Sequence, residues 1–242
     1  MNNIKNEIEQ SPLISALTDP AAEDLGANIA ELSLDSLLDE GLLKDIPTIG
    51  AIVKLFKIGS TIHDKLFLKK VLMFMKGLKD VSVDKRREMI AKIDDSKDYS
   101  SKVGEKLLYI IDSCEDAEKS ELMGRLFKAY VEEKITYEDF LQTAKVLSLL
   151  SISDFRWLIS QKQNYHFDLN KIGEKINTGL FALKYDDFQV DVTDKEDKSG
   201  RPSWDKYDTQ VSGGIDVNLS LAGEVIQKVF NPPYKEQESI KI

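Results

Sequence analysis

Apolar positions recur with helical spacing over most of this chain and switch to alternation only near its C-terminal end. The first helical stretch runs from about Ala21 to Leu38, with Leu25, Ile29, Leu32, Leu34, Leu37 and Leu38 on one side and acids outside. Residues 48–79 place Ile49, Ile52, Val53, Phe56, Ile62, Leu66, Phe67, Leu68, Val71, Leu72, Phe74, Met75 and Leu78 on a wide apolar arc. Gly59-Ser60 can break that stretch into a helical hairpin. Two amphipathic helices follow: 84–95, with Met89, Ile90 and Ile93 inward, and 102–132, interrupted between Ser113 and Asp116. Ser113-x-x-Asp116 reads as a helix start, and Thr136-x-x-Asp139 as the cap of a helix reaching Leu150.

Beyond residue 150 the elements shorten. Ser153 to Gln161 and Asn170 to Thr178 read as helices, the second ended by Gly179. Phe188, Val190 and Val192 alternate with polar residues, as do Ile215, Val217 and Leu219 after Gly213-Gly214. These two runs predict a β-hairpin around the polar loop 194–212, closed by a helix over Leu221 to Phe230 before a tail headed by Pro232-Pro233. The expected fold is mainly α: an N-terminal helical bundle followed by a winged-helix-like α+β unit. The expected divisions are an acidic arm with a helix (1–43), a helical bundle carrying a basic amphipathic segment (44–136), the winged-helix-like domain (137–231) and a tail (232–242).

Charge sharpens this division. The chain of 242 residues has a net charge of -9. Residues 1–43 contribute -8 and residues 44–79 contribute +6, so a basic island sits inside an acidic protein. In one continuous helix Lys54, Lys65, Lys69, Lys76 and Lys79 share an arc of roughly 80°; with a break at Gly59-Ser60 only the stripe from Lys65 onward keeps its geometry. Such a stripe suits an anionic membrane surface or an acidic partner. It equally suits the charged outer face of a core helix, with the acidic arm as its internal partner, and this second use is the favoured expectation. The apolar arc of residues 62–78 is expected to pack on the helices of 102–150, because left in water it is an aggregation hazard.

The order helix, helix, helix, hairpin, helix resembles a winged helix. The resemblance extends to Ile176-Asn177-Thr178-Gly179-Leu180-Phe181, as its third helix, and to Asn218-Leu219-Ser220-Leu221-Ala222-Gly223, as the entry to its closing helix. It implies DNA binding through Lys171, Lys175 and Lys184. The expected wing argues against that use: from Asp186 to Asp208 eight acids face Lys195, Lys198, Arg201 and Lys206, and phosphate neutralisation needs the opposite sign. Protein contact or a purely structural use is therefore expected, with DNA as the alternative.

The chemistry that the composition excludes is informative. A single cysteine, Cys114, and two histidines, His63 and His166, leave no disulfide framework and no Cys/His zinc site within one chain. The acids at 186–208 lack the alternating ligands of an EF-hand loop. Glu115 and Asp116 beside Cys114 disfavour a thiolate. Neither a phosphate-binding glycine loop nor a nucleophile elbow is present. The reading assigns no catalytic residue, no cofactor and no metal, and expects a protein that is not an enzyme. The N-terminus shows no secretory signal pattern, and the longest apolar run, Ile46 to Ile58, is too short and too charged to span a bilayer. A cytoplasmic location, peripheral to the inner membrane if the lysine stripe is used there, is expected.

Two stretches carry a family resemblance. Leu43 to Gly50, continuing through Lys57-x-Gly59 to the segment Asp64 to Lys70, resembles an uncharacterised group of bacterial proteins. Pro20-Ala21-Ala22-Glu23-Asp24-Leu25-Gly26 is similar to the opening segment of the abortive-infection alpha proteins. The resemblance covers the first 150 residues, contains no catalytic motif, and implies a bacterial source and a role in phage defence.

Overall fold

The computed structural model of the chain describes residues 12–19, 61–94, 103–162, 167–187, 189–194 and 207–231. The expected helix at 21–38, Lys54, His166 and the tail lie outside the described residues.

The described chain is mainly helical, with antiparallel strands near its C-terminal end. In order it runs α1 (Pro12–Leu17), α2 (Ile62–Gly77), α3 (Val83–Asp94), α4 (Val103–Ser113), α5 (Ala117–Val131), α6 (Tyr137–Leu149), α7 (Ile152–Ser160) and α8 (Leu169–Ile172). A 3-10 helix, Gly173–Thr178, extends α8; β1 (Phe181–Tyr185), β2 (Gln189–Asp194), β3 (Tyr207–Ser212), β4 (Ile215–Leu219) and α9 (Leu221–Phe230) complete it.

Local chemistry sets most of these ends. Thr61 and Thr136 each open a helix through a reciprocal capping box, with Asp64 and Asp139 at the third helical position. Thr61 makes α2 begin at Ile62, so Lys65, Lys69 and Lys76 share one helix. Asp116 itself caps α5, accepting from the Lys119 N–H at 2.8 Å. Ser113, expected to start that helix, instead ends α4 and donates to the Ile110 carbonyl. The carboxylate wins because Asp116 takes the extended cap conformation while Ser113 is still helical. Gly179, at φ 85°, turns the chain from the 3-10 helix into β1.

The centre of the core is the crossing of α2 on α5. Gly77 and Gly124 bring the two backbones together: a Cβ built on Gly124 would lie 2.1 Å from the Phe74 carbonyl oxygen. Ser120, one turn earlier on α5, donates to the Lys70 carbonyl at 2.7 Å. Leu68, Val71, Leu72, Phe74 and Met75 are buried, as the apolar arc of α2 required, while Ile62 and Leu66 at its start stay exposed. Phe127 connects the layers, with ring centroids 5.9 Å from Phe74 and 5.3 Å from Phe140 on α6.

Helix α1, inside the expected arm 1–43, packs into the core. Leu13 and Leu17 are fully buried, and the buried Arg86 of α3 donates to the carbonyls of Leu17 (3.3 Å) and Leu78 (3.2 Å). The Arg87 guanidinium adds a bond to the Thr18 carbonyl. Two guanidinium groups thus bind helix-end carbonyls, where cations are favoured.

The strands also pair differently from the expected hairpin. β1 pairs with β4 and β2 with β3, both antiparallel, so the last six residues of the expected loop form β3. Between the pairs Tyr185↔Ile215 and Gln189↔Ser212 one strand has three residues and the other two, a bulge closed by the Asp186 N–H on the Gly214 carbonyl at 3.0 Å. The extra residue exchanges odd for even positions in the first strand. Val190 and Val192 therefore stay on the face that carries Phe181, Leu183 and Tyr185, because a one-residue shift moves every later side chain to the other side. The root of this ribbon sits on α7 through Trp157, Phe167 and Phe181, with Phe167 and Phe181 centroids 5.0 Å apart. Phe167 also bridges Val217 of β4.

Candidate functional site

The lysine stripe divides into two halves. Lys76 Nζ meets Glu121 at 2.9 Å, a half-buried pair that ties α2 to α5. Lys79 is exposed, and its carbonyl receives the Lys128 ammonium at 3.0 Å. Lys65 and Lys69 have no ion pair among the described residues. They flank Ile62 and Leu66 on the exposed first turns of α2, next to the exposed His63. Asp64, the acid among them, is taken up by the cap: the Thr61 hydroxyl donates to it at 2.6 Å. Lys70, which the stripe did not include, donates to the Asp112 carbonyl at the end of α4.

The three lysines expected to meet nucleic acid have different surroundings. Lys175 is half-buried, paired with Asp154 at 3.2 Å and placed over the Trp157 ring at 5.3 Å, where it fastens the 3-10 helix to α7. Lys184 stands opposite Asp216 in the β1–β4 register, and Lys171 is exposed on α8. Along the described ribbon six aspartates, Asp186, Asp187, Asp191, Asp194, Asp208 and Asp216, accompany the single Lys184.

Cys114 is buried at the end of α4, where its thiol donates to the Ile110 carbonyl at 3.3 Å. Burial pushes its pKa up to about 11, against the opposing pull of the Lys70 and Lys119 charges. Such a thiol is a packing group at neutral pH rather than a nucleophile. Tyr130 is likewise pushed up to about 12, chiefly by burial. Among the described residues no group of three or more His, Cys, Asp or Glu side chains could hold a metal ion, and no helix is long and apolar enough to cross a membrane.

Two features escaped the sequence pattern. Lys119 is a buried lysine bound to Glu115 at 3.0 Å and to the Ser148 carbonyl at 3.1 Å, which joins the start of α5 to the end of α6. The other is the row of exposed apolar side chains on the ribbon: Tyr185, Val190, Val192 and Ile215. The continued alternation of valines into a polar stretch was the available signal for this row. Neither a family model, nor a curated protein, nor a solved structure matches this chain.

Proposed function

We propose that the chain is a non-catalytic contact protein, and that residues 137–231 form a winged-helix-like unit used against protein rather than DNA. The order α6, α7, the Phe167–Val217 bridge, α8 with its 3-10 extension, a long two-stranded ribbon and α9 supports the winged-helix part of this reading. The observation that carries the functional part is the ribbon's charge: its described positions set six aspartates against one lysine. A wing that tracks phosphates needs cations along its length. The lysine best placed on the third helix, Lys175, is already engaged with Asp154 and Trp157. Electrophoretic retardation of duplex DNA, including the gene's own promoter, tests the reading at about 50 mM salt, where phosphate contacts are strongest. No shift is expected; retardation that weakens steeply with salt and is lost in Lys171→Gln overturns it.

The resemblance at residues 20–26 supports a setting in bacterial phage defence. Plating a phage panel on strains with and without the gene tests that setting, and equal plaque counts across the panel remove it.

A further inference from the structure

The end of α1 and the body of α3 are held to each other by charged donors, although 69 residues separate them. Arg86 of α3, only 2% exposed, donates to the last carbonyl of α1, that of Leu17, at 3.3 Å and to the Leu78 carbonyl at 3.2 Å. Its neighbour Arg87 donates to the Thr18 carbonyl and pairs with Asp84 at 3.3 Å. Bonds from a guanidinium are roughly twice as strong as those between neutral groups. The ties of α3 to the end of α5 are of a weaker kind. The Tyr130 hydroxyl reaches the Met89 carbonyl at 3.5 Å, and Lys92 meets Glu133 at 3.1 Å as an exposed pair, which contributes little.

Neither helix stands by itself. α1 has six residues, too few to persist without tertiary support, and its Leu13, Ile14, Ala16 and Leu17 are buried. α3 buries Val83, Arg86, Met89 and Ile90, while Asp84, Lys85, Arg87, Glu88, Ala91 and Lys92 are exposed. By contrast α2 and α5 meet backbone to backbone at Gly77 and Gly124, with the Phe74 and Phe127 rings beside that contact. If α3 lifts away, α1 loses two guanidinium donors; if α1 leaves, Arg86 and Arg87 each lose a carbonyl. These two dependences are one coupling free energy, equal in both directions.

We propose that α1 and α3 form one detachable cover, coupled through Arg86, which opens as a unit while α2 and α5 stay packed. Such an opening is a local event of lower free energy than global unfolding. It bares Tyr130, whose hydroxyl meets Met89 in the closed chain and whose ring lies 5.8 Å from Phe127 and 5.4 Å from Tyr137. The aromatic row at the end of α5 is thereby reached through one cooperative motion of two helices that are distant in sequence.

Native-state amide exchange of the full chain, with denaturant raised from zero through the range below unfolding, tests the proposal. In wild type the amides of Leu17 and Thr18, the latter bonded to the Ile14 carbonyl at 3.0 Å, should share one opening free energy and one denaturant slope with those of Met89 and Ile90. Both values should lie below those of Leu126 and Phe127 on α5. Leu13→Ala should speed exchange at Met89 and Ile90 by the same factor as at Thr18, more than about tenfold. In an Arg86→Met background the same substitution should still speed Thr18 but change Met89 and Ile90 by no more than about twofold, the scatter of independent sites. Arg86→Lys, which keeps the charge and loses the planar fork, replaces Arg86→Met if that variant does not fold. Separate opening free energies for α1 and α3 in wild type overturn the proposal, and this comparison decides even where every variant fails to fold. Merging of α1 and α3 with α5 overturns it too, as do α3 amides that ignore Leu13→Ala or a coupling that survives the loss of Arg86.

Discussion

Gly124→Ala tests the packing that organises the core. The added methyl would lie 2.1 Å from the Phe74 carbonyl oxygen, 2.9 Å from its carbonyl carbon and 3.0 Å from the Gly77 Cα. A relaxed carbon-to-oxygen contact is about 3.3 Å or longer, so α2 and α5 must part by roughly 1 Å. The obstructing atoms are backbone, and no side chain can rotate away. In isolation alanine favours a helix over glycine by about 1 kcal/mol. Against this stand an overpacking cost of about 1–3 kcal/mol and loosened contacts around Phe74 and Phe127, where a gap of 0.5–1 Å forfeits about a quarter to a half of each pair's attraction. Parting the helices also stretches the 2.7 Å bond from Ser120 to the Lys70 carbonyl. The net expectation is destabilisation by about 2–3 kcal/mol, or a fall in Tm of roughly 5–10 °C for a chain of this size. Denaturant titration followed by circular dichroism measures it, with Gly77→Ala and the double variant alongside. The double variant should cost less than the two singles added, since the first substitution already separates the helices. Gly124→Ala at or above wild-type stability would mean that helix propensity prevails, and the close crossing would be refuted.

Arg86→Met leaves the Leu17 and Leu78 carbonyls without their guanidinium donor at a buried site, a loss of about 2–4 kcal/mol. Hydrogen exchange should accelerate at residues 14–18 before it does in α5; uniform acceleration would contradict the clasp. Lys119→Met should destabilise by about 1–3 kcal/mol through the same loss of buried bonds, whereas Lys65→Gln and Lys69→Gln should stay within about 0.5 kcal/mol in a denaturant titration. Cys114 keeps its proton in the folded chain to about pH 11, while its unperturbed pKa is 9.0. Above pH 9 the unfolded state sheds that proton and the native state does not, so stability falls between pH 9 and 11; Tyr130, raised from 10.0 to about 12, continues the fall. Denaturation midpoints for wild type and Cys114→Ala across that range isolate the thiol's share, and parallel curves would exclude it. At neutral pH a thiol reagent should label Cys114 only as fast as the chain opens.

The sequence was legible where local rules act alone. Thr136 with Asp139, the Gly179 stop and the span Leu221–Phe230 follow from spacing and capping chemistry within a few residues, and the structure places them there. Features set by distant partners were not legible. Six residues, Pro12–Leu17, are too few to announce a helix by periodicity, and their burial depends on an arginine 69 residues further on. The strand register depends on one extra residue near Asp186, which exchanges the parity of the alternation and makes the hairpin seem shorter than it is. Lys175 could be read as free only without knowing that Asp154 and Trp157 meet it. Neither half of the stripe on α2 was legible: Lys76 is paired by Glu121 of another helix, and nothing near Lys65 in the chain marks it as left over.

The clasp on α1 has a consequence for the nascent chain. Leu13 and Leu17 emerge from the ribosome early, yet the guanidinium that holds the end of their helix lies 69 residues later. At a synthesis rate of about 5–20 residues per second, that interval is roughly 3–14 s. During it the end of this short apolar helix lacks its guanidinium partner. The end of α1 receives that clasp only after α3 has been made, so the hold on it comes from a segment synthesised well after it.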